Sequence, residues 1–162
     1  MTMTTLATFA PPVDGRQSAT ALAVARGTQR LLVALGHACV AELPLASGRR
    51  ADLVALGRDG EIWIVEIKSS VEDFRVDAKW PDYRLHCDRL FFATAAQVPA
   101  GIFPVDAGLI VADAYGAELM REAPEHRLHA ATRRSMMLAF ARAAARRLQA
   151  LADPQGPYGE EG

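Results

Sequence analysis

Three consecutive segments decide the fold: Ala51-Asp52-Leu53-Val54-Ala55-Leu56, then Arg58-Asp59-Gly60, then Ile62-Trp63-Ile64-Val65-Glu66-Ile67-Lys68. Two apolar runs of strand length flank a short turn-forming segment, the pattern of a β-hairpin. Leu53, Ala55, Trp63, Val65 and Ile67 are apolar on one face, and Val54, Leu56, Ile62 and Ile64 on the other. Both faces of such a hairpin need cover, so helices are expected on both sides of the sheet. Yet the second run carries Glu66 and Lys68, residue types rarely buried without a partner or a task.

Register decides whether Asp52 and Glu66 can cooperate. A two-residue turn at Asp59-Gly60 would set Asp52 against Ile67 and turn Glu66 to the opposite side of the sheet. A three-residue loop, Arg58-Asp59-Gly60, with Gly60 left-handed, pairs 57 with 61 and sets Asp52 across from Glu66. The glycine at the third position favours this second loop, with Lys68 on the same face one pleat further on. Two adjacent carboxylates repel, and one must hold a proton unless a cation lies between them. Hard oxygen donors in that arrangement suit Mg²⁺, with Mn²⁺ as substitute. Lys68 can then orient an attacking water or stabilise charge developing on a phosphate. An ion pair of Lys68 with Glu66 or Asp52 is the other way to satisfy these charges.

The surrounding chain fits a single α/β domain. It has 162 residues, 51% hydrophobic and 23% charged, with a net charge of −1; that suffices for one core and gives no overall polycation. Any nucleic-acid contact must therefore come from a local patch. Cys39 and Cys87 stand alone without zinc spacing, and fit buried thiols in a reducing compartment. No basic leader with an apolar core and no membrane-spanning run is seen, so the expected location is the cytoplasm. Residues 1–17 read as a flexible lead-in, 18–152 as the domain, and 153–162 as a flexible tail.

Within the domain, Ser18 caps a helix over 19–35 that stops at Gly36. Strands are expected at 38–45, 51–57, 61–67, 89–94 and 108–112, with a short edge strand at 117–122. A helix covers the charged segment 70–86, with Pro81 at an end or kink, and a long helix covers 130–151.

Asp52 followed by Glu66-Ile67-Lys68 on the next strand resembles the D…(D/E)-x-K signature of the PD-(D/E)xK nuclease superfamily. More closely, the chain resembles the MmcB family of bacterial proteins assigned to DNA repair. The stretches that carry this are 48–56, 60–70, Lys79-Trp80-Pro81-Asp82-Tyr83 and 108–113. The resemblance implies a restriction-endonuclease-like fold, a mixed central sheet flanked by helices on both faces, and a Mg²⁺-dependent DNA endonuclease. It makes Asp52 and Glu66 metal ligands with the carbonyl of Ile67, and Lys68 the catalytic lysine. The superfamily's proline is replaced by Ala51, and the Gln-x-x-x-Tyr of several relatives by Lys79-x-x-x-Tyr83. An inactive nuclease-fold module that binds DNA or a repair partner is the alternative. Superfamily members often dimerise to reach both strands, so a homodimer joins DNA among the expected partners.

Further residues have two readings each. Glu42, on the first strand, is either an added metal-shell carboxylate or a solvent-facing residue. Arg49 and Arg50 either hold phosphates near the metal or belong to a solvated turn. Lys79 and Tyr83, four apart on one helical face, are read as DNA contacts, against a surface ion pair for Lys79 and a core position for Tyr83. Arg133, Arg134, Arg142, Arg146 and Arg147 form either a DNA-facing side or the charged outer face of a cover helix. The four histidines show no ligand spacing.

Overall fold

The computed structural model describes residues 18–158; the expected lead-in 1–17 and the end of the tail, 159–162, lie outside it. Helix α1 (Ala19–Ala34) precedes strands β1 (Ala38–Pro44), β2 (Arg50–Leu56) and β3 (Ile62–Lys68). Helix α2 (Val71–Val76) and a 3-10 segment (Trp80–His86) lead to β4 (Arg89–Thr94), β5 (Gly108–Ala112), β6 (Ala117–Arg121) and α3 (Ala130–Ala152). The strands form one six-stranded sheet in sequential order. β1–β2, β2–β3 and β5–β6 are antiparallel, while β3–β4 and β4–β5 are parallel. The mixed sheet with helices on both faces follows from a hairpin that is apolar on both sides.

Helix α1 starts where Ser18 accepts the Ala21 N–H through its hydroxyl at 3.1 Å, and ends before Gly36, whose φ is +88°. It covers the face of Leu53, Ala55, Trp63, Val65 and Phe91 with Val24 and Leu32. It also crosses the β5–β6 turn so closely that a Cβ on Gly27 would lie 2.1 Å from the Asp113 carbonyl oxygen. Helix α3 covers the other face, where Met136, Phe140 and Ala143 meet Val40, Val54, Ile62 and Ile64. A second cluster on this side, Phe74, Trp80, Phe92 and Phe103, seats α2 and the start of the 3-10 segment.

The hairpin takes the three-residue loop. Gly57 N–H donates to the Glu61 carbonyl at 2.9 Å, Gly60 N–H to Gly57 at 3.0 Å, and Gly60 has φ +85°. Leu53 pairs with Val65 and Leu56 with Ile62, so continuing the register sets Asp52 against Glu66.

One expected element breaks. The segment 70–86 is not a single helix, because α2 stops at Val76 and Asp77 leaves the helical region at ψ 81°. The Asp77 carboxylate then accepts the Lys79 N–H at 3.1 Å, and Pro81 opens the 3-10 segment, where its missing N–H costs nothing. Lys79 and Tyr83 therefore do not share an α-helical face.

Candidate functional site

The site lies where β2 and β3 part on the α3 side of the sheet. The ladder ends at Leu53 and Val65, and beyond it side chains replace backbone pairing. Asp52 N–H donates to Glu66 Oε1 at 3.1 Å, and Ile67 N–H to Asp52 Oδ2 at 2.8 Å. Each carboxylate thus satisfies an amide freed at the neighbouring strand. Glu66 is 3% exposed and Lys68 6%, while Asp52 is half-buried.

Lys68 makes neither of the ion pairs expected for it. Its Nζ lies 2.6 Å from Oδ2 of Asp77, the residue that ends α2. The Lys68 carbonyl accepts the hydroxyl of buried Thr94 at 2.6 Å, which fixes the strand end. Asp73 is close by, bound to Ser69 N–H at 3.0 Å while its own N–H caps on Ser70. Neither Asp73 nor Asp77 was assigned to the site from sequence. A signal existed, since a lysine in a buried strand needs an acid and an acidic helix follows it directly.

The charges do not balance. Among the described residues, Asp52, Glu66 and Asp77 share the charge of Lys68. Burial first, and then the Asp52 charge, push the Glu66 carboxyl up to about 8. Burial also raises Asp52, with Asp73 and Glu42 adding to it, against the Ile67 hydrogen bond and Lys68. The two acids titrate as a pair. Without a cation they hold a proton at neutral pH, and with one they need not. Two adjoining carboxylates, with the Ile67 carbonyl as the third donor that the resemblance implies, are the few hard oxygen donors that Mg²⁺ takes while keeping most of its water. The residues present therefore fit such an ion.

The other expected residues divide. Glu42 stands opposite Asp52 in the β1–β2 register, between the pairs Ala41–Leu53 and Leu43–Ala51, with a left-handed φ of +50°. That conformation is costly for a non-glycine residue. Arg147 of α3 donates to the carbonyls of Ala41 and Glu42. The Glu42 carboxylate lies 3.4 Å from Arg50, and among the described residues no group of three or more His, Cys, Asp or Glu is placed to hold an ion. Arg49 grips Asp82 through two nitrogens at 2.9 and 2.7 Å, which ties the β1–β2 loop to the 3-10 segment. Lys79 is exposed. Tyr83 is 8% exposed and donates its hydroxyl to the Arg50 carbonyl at 3.1 Å. Its phenol pKa is raised by burial and then by the Glu66, Asp52 and Asp77 charges. Tyr83 is therefore a neutral wall beside the acids, with no free ring face for a base.

Arg133 is also structural. It forks onto buried Asp88 at 2.7 Å through both nitrogens, and Asp88 accepts the Ile62 and Leu128 amides at 2.7 and 2.9 Å. This hub docks α3 onto the foot of β3, and it was not foreseen from sequence.

The family described as DNA repair protein MmcB-like matches residues 9–155. The solved structure of the SPO1766 protein of unknown function from Silicibacter pomeroyi is similar to this chain, with 46% identity and a TM-score of 0.84. The similarity covers 90% of this chain and 99% of that one. No curated protein matches the chain. No helix among the described residues is long and apolar enough to cross a membrane.

Proposed function

Since the chain belongs to the MmcB-like DNA repair protein family, we propose that the Asp52–Glu66–Lys68 corner is a Mg²⁺-dependent centre hydrolysing phosphodiester bonds in DNA. The mixed sheet, with its acid pair where two strands part, supports a PD-(D/E)xK assignment. One observation carries the reading: two carboxylates meet at a buried strand end, and the one lysine beside them is held by a third acid.

Asp52, Glu66 and the Ile67 carbonyl would hold the cation. A bound Mg²⁺ supplies Lewis acidity at a phosphate oxygen and a neutralising charge. The protein's own part is positional. Asp77 anchors the Lys68 ammonium beside the acids, where it can orient water or meet charge developing on the phosphate. Arg50 and Lys79, both exposed, are the basic residues near the mouth that can hold the backbone.

A second reading is favoured by a specific observation. The ion pair that anchors Lys68 beside the acids also occupies its ammonium with Asp77, which suits a nuclease fold that binds DNA or a repair partner without cutting. Calorimetric titration with Mg²⁺ and Mn²⁺, beside cleavage assays on duplex, branched and single-stranded DNA, separates the two. The first reading expects metal binding that Asp52→Asn abolishes, and cleavage lost in Glu66→Ala and Lys68→Ala. No metal uptake, or cleavage surviving those substitutions, refutes it.

A further inference from the structure

We infer that the outer side of α3, through Arg134, Arg142 and Arg146, is a DNA-backbone contact leading into the acid corner. This deepens the proposed function and rests on its reading of DNA as substrate. Helix α3 holds five arginines and no acid over Ala130–Ala152, in a chain whose net charge is −1. The structure sorts the five into two sets. Arg133 and Arg147 turn inward, to Asp88 and to the Ala41 and Glu42 carbonyls. Arg134, Arg142 and Arg146 are exposed, and no ion pair reaches them among the described residues.

Placement gives this surface a direction. Arg147 anchors the end of α3 on β1 at Glu42, which stands opposite Asp52 in the register. Arg146 and Arg142 therefore lie on the last turns before the site, and Arg134 about three turns behind Arg146. At 1.5 Å per residue, Arg134 and Arg146 are about 18 Å apart along the helix. That length spans about five phosphates of one strand of B-form DNA.

Charge selects the occupant. A second copy of the chain docked on this side would set arginine against arginine, and an apolar partner would desolvate three unpaired guanidinium groups. A polyphosphate backbone pairs with them and displaces only counterions. Such contacts fix register without reading sequence, which suits an enzyme or module acting on DNA structure.

The test is fluorescence anisotropy of a labelled 20-base-pair duplex in EDTA, over a salt series. Wild type is compared with the triple substitution Arg134→Gln, Arg142→Gln, Arg146→Gln, and with Arg142→Glu alone. The triple variant is expected to lose at least tenfold in affinity at 100 mM salt, with the slope of log K against log salt reduced by about 2.7. Arg142→Glu alone is expected to weaken binding at low salt, with an unchanged melting temperature. Unchanged affinity and slope in the triple variant, or no duplex binding by wild type, overturns the inference. Metal titration of the same proteins reports on the acid corner separately. Metal uptake with unaltered DNA binding would sink this inference alone, whereas lost DNA binding in a protein that takes up no metal would support it while removing the hydrolytic reading.

Discussion

Replacing Glu66 by glutamine should stabilise the metal-free protein at alkaline pH, although most substitutions of a buried residue destabilise. In chelator, the Glu66 carboxyl is pushed up to about 8, from an ordinary 4.5, by burial and then by Asp52. The folded state therefore holds a proton that the unfolded chain has released. Stability from this group is fully present below about pH 4.5 and is lost as pH rises through about 8. Between pH 5 and pH 8 the loss is on the order of 3 to 4 kcal/mol. For a domain of this size that is about 10 °C in melting temperature.

The Glu66→Gln side chain carries no charge, and its carbonyl oxygen can still accept the Asp52 N–H. The variant should match wild type near pH 5 and exceed it at pH 8, by an amount approaching that loss. Urea unfolding in EDTA at pH 5, 6.5 and 8 measures this, and saturating Mg²⁺ should cancel the difference by stabilising wild type alone. A wild-type stability flat from pH 5 to 8, or a variant less stable than wild type at pH 8, would refute the argument that the two acids crowd each other.

Other perturbations test the surroundings. Asp77→Asn leaves Lys68 buried with only the acid pair nearby; about 1–3 kcal/mol of stability should be lost, and cleavage should fall, read by urea melts and turnover. Asp88→Asn strips the charge facing Arg133 and should cost about 3–5 kcal/mol. The Arg133 hydrogen bonds, with those from Leu128 and Ile62, hold the Asp88 carboxyl below the usual range against the opposing effect of burial. The hub's contribution is therefore present above ordinary carboxylate pKa values and lost as pH falls through the depressed one. The stability advantage of wild type over Asp88→Asn should therefore shrink as pH falls through the depressed carboxyl pKa, and the variant should unfold at the higher pH in an acid titration. Gly27→Ala puts a methyl 2.1 Å from the Asp113 carbonyl oxygen and should cost at least 2 kcal/mol by separating α1 from the β5–β6 turn; a thermal melt equal to wild type would contradict that packing.

Most of the architecture was legible in the chain. Strands are short, period-two runs bounded by turn residues, and β4 and β5 fall at their expected limits, Arg89–Thr94 and Gly108–Ala112. The hairpin register was legible too, because one glycine at the third loop position selects one loop length. The segment 70–86 was misread as one helix because its break depends on Asp77 serving two partners, Lys68 and the Lys79 amide. That dual role has no local pattern. The same holds for the arginines of α3. Their spacing marks a charged helix, but only the positions of Asp88 and of the β1 carbonyls decide which of them turn inward.

The sequence by itself determined that Asp52 and Glu66 would meet, since alternation and loop length are local properties of the backbone. Tertiary structure alone decided the balance of charge around them. It brought Asp77, nine residues on at the end of α2, onto Lys68, sank Tyr83 into the wall, and left Arg134, Arg142 and Arg146 outside. Those outcomes depend on which elements share a face of the sheet. Electrostatic partnership is set by proximity through space, and a linear pattern shows at most that an acid is needed, not which one supplies it.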